Sequence, residues 1–248
     1  MMKMSCNLCL AVAAVVAVAA PAFSAVVSWN QDANGTVSGA NVAGLVPVSN
    51  WNNSWPSNPT TDLIDDSGAA TTLDIAIASF NTWSVVGSHP GQDADTTYNK
   101  ELLNGYLNAG PAVWNPPIIY SEVAISEIPY ASYDIIVYFS SDVAGREGDV
   151  TDGTTTYSFN SVGPPSVNGA NALFAQTTDT GGSYLTAANY AVFSGLSGAS
   201  QTIKVQMLEN DEWAGIAGFQ VVAVPEPASL GLLCLSSLFA VALRRRWS

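Results

Sequence analysis

The feature that most constrains this chain is a set of short runs in which apolar and polar side chains alternate, the period of a strand with one buried face. Leu73-Asp74-Ile75-Ala76-Ile77 is the clearest of them. Others span Ile118 to Ile125, Tyr133 to Phe139, Thr155 to Phe159, Ala172 to Thr177, Tyr190 to Leu196, Thr202 to Leu208 and Ile216 to Val222. Gly, Asn, Asp, Ser and Pro fill the intervals and supply the backbone conformations that turns require. Only Lys100 to Leu107 looks helical: Leu103 and Leu107 are four apart, Leu102 and Tyr106 lie beside them, and Gly105 interrupts the pattern. We therefore expect one short helix or turn in a crossover loop of an otherwise all-β domain. Eight or more strands with no repeat of constant length argue against a β-helix or propeller. They predict an antiparallel β-sandwich of the jelly-roll type.

Such a domain has to be held by apolar burial and strand pairing. The three cysteines, Cys6, Cys9 and Cys234, all lie in apolar terminal segments, which leaves the middle without a disulfide or a thiol nucleophile. At about 200 residues the middle is large enough to bury roughly 70% of its surface on folding. With 48% apolar and only 11% charged residues, surface polarity falls to Asn, Ser, Thr and Gly. Between Ala25 and Val224, nineteen Asp and Glu stand against Lys100, Arg146 and Lys204, a formal charge of −16. A surface of that sign repels phosphate backbones, so nucleic acid is a poor partner. Divalent cations and neutral glycans remain compatible with it.

At the start of the chain, Lys3 precedes an apolar stretch from Leu8 to Ala20, and Ala22-Phe23-Ser24 follows. Ala22 and Ser24 are small residues at the two positions a signal peptidase reads, which predicts a signal peptide over residues 1–24, cut after Ser24. The stretch is short for a membrane anchor. Cys9 does not mark a lipoprotein, because Asn7 and Leu8 are not the small residues of a lipobox and the apolar stretch continues beyond it.

The other end reads Val224-Pro225-Glu226-Pro227-Ala228-Ser229-Leu230, then an apolar run to Leu243, then Arg244, Arg245 and Arg246. The prolines break any preceding strand or helix. Ala228 to Leu243 would rise about 24 Å as a helix, and the arginines would hold the tail in the cytoplasm. Residues 224–248 are thus expected to form a sorting segment with a transmembrane helix, behind an exported domain at 25–223. Pro225-Glu226-Pro227, the apolar run and the arginine tail resemble the PEP-CTERM sorting signal. The resemblance implies an exosortase-type protease that cuts at or near this motif and passes the domain to the cell surface or extracellular matrix. A permanent single-pass anchor would have the same topology.

Within the domain, Glu127 to Phe139 resembles the element of galactose-binding-like sandwiches in which a loop and a Tyr precede an apolar strand. Trp213 to Val222 resembles their closing strand. Asn50-Trp51-Asn52-Asn53 and Leu103-Asn104-Gly105-Tyr106-Leu107 add to this likeness to exported domains of bacteria with PEP-CTERM systems. It implies a fold and says little about activity.

The lone histidine, His89, sits in Gly87-Ser88-His89-Pro90-Gly91 with no Gly-x-Ser-x-Gly elbow in the chain, so a hydrolase triad has no signature and a histidine-based zinc site lacks ligands. A glycosidase needs two facing carboxylates. Asp65-Asp66, Asp93 with Asp95, and Asp211-Glu212 are the nearest pairs, all in loop-like contexts better explained as solvated surface. Asp142, Glu147, Asp149 and Asp152 crowd a Gly-containing segment and offer oxygen ligands for calcium, with plain surface acidity as the competing reading.

Among the tryptophans, Trp51, Trp55, Trp83 and Trp114 lie near Asn, Ser and Pro. Trp51 and Trp55 with Asn52 and Asn53 suggest a glycan patch, ring faces against sugar C–H surfaces and amides toward hydroxyls. The simpler alternative makes these rings plugs at the ends of the domain, and Trp213 is expected to pack beside the final strand. The sequence thus leads to an exported, non-catalytic surface or matrix protein that contacts exopolysaccharide. A two-carboxylate hydrolase and a purely structural coat protein are its rivals.

Overall fold

A computed structural model describes residues 24–31, 36–54, 60–85, 98–110, 112–114, 118–163, 174–182, 184–209 and 212–225. Residues 1–23 of the expected signal peptide, Glu226 and Pro227 of the sorting motif, the apolar run from Ala228 and the arginine tail lie outside these residues. The described chain is all-β, with thirteen strands in two sheets. One sheet holds β1 (Val26–Gln31), β2 (Asn52–Ser54), β4 (Asn81–Ser84), β5 (Gly105–Ala109), β7 (Tyr133–Ser140), β11 (Tyr190–Leu196) and β13 (Ala214–Ala223). The other holds β3 (Asp74–Ala78), β6 (Tyr120–Ser126), β8 (Ala144–Thr151), β9 (Thr156–Val162), β10 (Ala187–Ala188) and β12 (Gln201–Met207). The first sheet runs β11-β7-β13-β1-β2, with β5 also on β13 and β4 on β5; the second runs β10-β9-β8-β12-β6-β3. Neighbours are antiparallel except β1 with β2 and β9 with β10.

The two sheets share one apolar core. Tyr133, Ile135, Val137 and Phe139 of β7 point into it and meet Val123, Ile125, Val150, Phe159, Ile203 and Val205 of the second sheet. Phe139 and Phe159 stack with ring centroids 4.1 Å apart. The outer face of the second sheet follows the alternation seen in the sequence. Glu122, Lys204 and Asp149 stand outside, and Val123, Val205 and Val150 stand inside. The outer face of the first sheet is different, because it carries a second apolar layer. Ile136, Tyr138, Tyr190 and Ala217 are covered there by Val37, Ala43, Trp51, Leu102, Leu103 and Tyr106. Strand β7 is covered on both faces, which is why Ile135 to Phe139 is apolar without interruption.

The expected helix is shorter than its sequence pattern. α1 covers Asn99–Asn104, and Gly105 opens β5 instead of continuing the turn. Tyr106 and Leu107 are therefore strand residues on opposite faces, one in each apolar layer. The expected strand from Ala172 to Thr177 is also corrected: residues 174–177 make only an isolated bridge from Gln176 to Tyr190, and Ala172 and Leu173 lie outside the described residues.

Strand β13 organises the first sheet. One side pairs with β7 along its length; the other pairs with β1 at Gly218 to Val222 and then with β5 at Ala214 to Ile216. A register shift against β7 between Ile216 and Gly218 lets both Ile216 and Phe219 face the shared core. The junction leaves no space for a side chain at Gly215, where a Cβ would fall 1.5 Å from the Leu107 carbonyl oxygen. Replacing Gly215 by Ala must push β5 off β13. We expect it to cost about 3 kcal/mol, the upper end for overpacking, and to lower Tm by roughly 6–12 °C. A thermal melt indistinguishable from the parent protein would disprove this account of the junction.

Candidate binding surface

Strand β13 has two ends with different jobs. At its start, Ala214 pairs with Ala109 at the end of β5, and Gly215 pairs with Ser140 at the end of β7. Three loops therefore leave the sheet together. The loop after β5 holds the 3-10 turn Ala112–Trp114, the loop after β7 leads through Asp142 into β8, and the approach to β13 carries Glu212 and Trp213.

These loops assemble one cluster. The Trp213 indole N–H donates to Asp142 Oδ1 at 2.5 Å, and the Ser141 hydroxyl donates to the Trp213 carbonyl at 2.9 Å. The Arg146 guanidinium lies 4.2 Å from the Trp213 ring centroid and its Nη1 is 3.6 Å from Glu212 Oε1. Glu212 Oε2 also accepts the Glu147 backbone N–H at 2.6 Å. The Trp114 ring stacks on Trp213 with centroids 5.8 Å apart and planes 20° apart. Trp114 remains 57% exposed. A charge-assisted hydrogen bond, a cation–π contact and ring stacking thus fix the inner indole, and the outer indole is a flat apolar ledge facing water. Tyr106 is buried close to Asp142; desolvation first, and then the Asp142 charge, hold its phenol well above the ordinary range, so it stays neutral.

The opposite end of β13 is where the domain joins the rest of the chain. The Ala223 N–H donates to the Ala25 carbonyl, the Ser24 hydroxyl to the Ala223 carbonyl, and the Val224 N–H to the Ser132 carbonyl. Ten residues of β13 separate this end from Trp213, about 30 Å of extended chain.

The glycan patch expected from sequence is corrected by burial. Trp51 is only 4% exposed, packs 6.2 Å from Tyr138 and donates its indole N–H to the Val48 carbonyl. Asn52 bonds the carbonyls of Ser28 and Ile64, and Asn53 those of Val37 and Trp51. These side chains tie the 36–54 segment to the first sheet, so ring and amides point inward. Trp55 lies outside the described residues.

The calcium reading is corrected as well. The segment from Asp142 to Asp152 is mostly the strand β8 rather than a loop. Asp142 precedes the strand and Asp152 follows it, so about 26 Å of extended chain lies between them. Asp149 accepts from the Ser158 hydroxyl, and Asp152 accepts the N–H groups of Thr154 and Thr155. Glu147 pairs with Asn160 across the sheet. Among the described residues no three Asp, Glu, His or Cys side chains converge on a metal-sized site.

Of the paired acids, Asp66 accepts the Val26 N–H and so anchors the start of β1. Asp65 Oδ1 accepts the Ser67 hydroxyl at 2.6 Å and the N–H groups of Ser67 and Ala69. His89, Asp93, Asp95 and Asp211 lie outside the described residues. The sequence did name Trp114 and Trp213, but nothing in their spacing shows that they stack. A signal for Arg146 was available: it is one of three cations among nineteen acids, and it lies between Asp142 and Glu147.

Residues 223–246 match the PEP-CTERM protein-sorting motif. The chain carries an exosortase sorting signal. It marks an exported protein that is processed by an exosortase and sorted to the cell surface through membrane attachment. The match begins at the last residue of β13, so the PEP-CTERM segment leaves the domain at the end remote from the ledge. Comparison with curated proteins gives no match. Among the described residues no helix is long and apolar enough to cross a membrane.

The Asp65 turn also generates a pH dependence. Its slight burial raises the carboxyl pKa, but the bonds from the Ser67 hydroxyl and the Ala69, Ser67 and Gly68 backbone outweigh this and hold it below the ordinary value. Its folded-state pKa is therefore depressed, so its stabilisation is present above about pH 4 and is lost as pH falls through the folded value. We expect Asp65→Asn to lower Tm at neutral pH and the gap to the parent to close on acidification. A gap that stays constant from neutral to acid pH would contradict it.

Proposed function

We propose that this PEP-CTERM protein is a non-catalytic surface component whose exported domain holds a glycan chain against the Trp114–Trp213 ledge. The observation that carries the reading is the 57% exposure of Trp114 on top of an indole fixed by Asp142 and Arg146. An indole left in water on a rigid support is available to the C–H face of a sugar, and a stacking partner of this kind needs no nucleophile. Val113, also exposed, widens the apolar surface beside it.

The strand orders support a jelly-roll sandwich as the scaffold, in the manner of galactose-binding-like domains. Neighbours β1, β13, β7 and β11 in one sheet and β6, β12, β8 and β9 in the other reproduce two interlocked Greek keys. In that reading signal peptidase releases the domain near Ser24, and exopolysaccharide of the surrounding matrix is the partner at the far pole.

Two experiments test the role. On cells carrying the full chain, retention by immobilised extracellular polysaccharide should fall about tenfold or more in Trp114→Ala, the cost of removing one aromatic anchor, while Trp114→Phe keeps most of it. Equal retention by both variants and the parent would remove the ledge from the role. The region from Ala25 to Val224 has no cysteine, so single cysteines at Val113 and Ala131 report the two poles cleanly. A bulky membrane-impermeant maleimide should label Val113→Cys faster than Ala131→Cys on intact cells. Faster labelling at position 131 would reverse the assigned orientation.

A further inference from the structure

We propose that the chain held at the ledge is an uncharged polysaccharide and that uronate-rich or sulfated glycans are turned away, a step that rests on the glycan-holding role above and narrows its ligand by class. The reason lies in where the few cations are. Between Ala25 and Val224 there are three, against nineteen carboxylates. Lys100 is fully buried in α1. Lys204 is 3.1 Å from Glu122 and lies over the Tyr120 ring at 4.1 Å. Arg146 is held between Glu212 and the Trp213 ring. Among the described residues, then, each of the two half-buried cations, Arg146 and Lys204, already has a carboxylate and an aromatic face.

The ledge itself carries Asp142 and Glu212 against Arg146, one net negative charge. A uronate stacked on Trp114 would sit near both carboxylates, inside a Debye length of about 8 Å at physiological ionic strength, with no cation left to receive it. A neutral hexose chain meets no such repulsion. Its C–H face covers the exposed indole, and its hydroxyls can donate to the lone pairs that Asp142 and Glu212 retain beyond their present bonds. Calcium bridging would need several converging oxygen ligands, and among the described residues no three Asp, Glu, His or Cys side chains converge.

The test uses cells carrying the full chain and four soluble probes: a mixed-linkage β-glucan, a galactomannan, a polygalacturonate and a sulfated dextran, each with and without EDTA. We expect at least one neutral polymer to be retained, at least tenfold over either acidic one, and lost in Trp114→Ala. Its retention should change less than twofold between about 0.02 and about 0.5 M salt, because no counterions are displaced. Retention of an acidic polymer that is abolished by EDTA or by Trp114→Ala would overturn the neutral class and leave the glycan-holding role standing. Neutral-polymer retention unchanged in Trp114→Ala would overturn the site. No retention of any probe would overturn the role and the class together.

Discussion

The interaction on which the rest of this structure depends is the sharing of one strand, β13, between two partners on the same side. β1 occupies its second half and β5 its first half. That division requires backbone to approach backbone at Gly215 and Gly218, where a Cβ would lie 1.5 Å from the Leu107 oxygen and 2.5 Å from the Trp29 oxygen. It also requires the register shift that turns Ile216 and Phe219 to the same side. The first described strand, β1, thus lies between β2 and the last strand, so the two ends of the described chain meet in one sheet. The PEP-CTERM match begins at the last residue of β13, so the strand that completes the sheet and the sorting signal are adjacent in the chain.

The same strand supplies the polar anchor of the outer layer. Gln220 is fully buried, and its amide is committed at both ends. Its Oε1 accepts from the Tyr138 hydroxyl at 2.6 Å and the Val46 N–H at 3.2 Å, while its Nε2 donates to Ser28 Oγ and the Val46 carbonyl. The Tyr138 hydroxyl in turn accepts the Leu45 N–H. Desolvation holds that phenol far above its usual range, so it remains a donor. Gly44 lies so close that a Cβ there would collide with the Gln220 amide, and its φ of +95° suits glycine alone. A loop can replace solvent on this face because its backbone groups find partners in the sheet; without them each buried N–H would be a net loss.

What the sequence made legible follows from solvent exposure. Strands β3, β6 and β12 have one wet face, so their side chains alternate and their positions were readable. β8 was not, because Gly148 stands where a core side chain would be, against the Phe159 ring, and the remaining positions read as an acidic loop. β1 was missed because both of its faces are buried, which erases alternation. The sequence picked out Trp51, Trp55, Trp83 and Trp114 as aromatic residues near turns and set Trp213 apart as a ring packed beside the final strand. It chose Trp51 over Trp114, because the covering layer that buries Trp51 is assembled from segments far apart in the chain and leaves no local periodicity. Only long-range pairing decides which indole is a plug and which is a ledge.

Stacking also separates Trp114 from the other exposed rings. Trp83 is 46% exposed on the short strand β4, and Tyr184 is 94% exposed; neither has a ring partner among the described residues. A lone ring on a short strand or loop must lose side-chain freedom when a ligand lands on it, which weakens what stacking contributes. Trp114 rests on an indole already held by a carboxylate and a guanidinium, so its immobilisation is part of the folded state. The scarce cation at Arg146 is thus explained by support from beneath rather than by contact with a ligand. Removing that charge would loosen the platform while leaving the exposed face of Trp114 chemically unchanged.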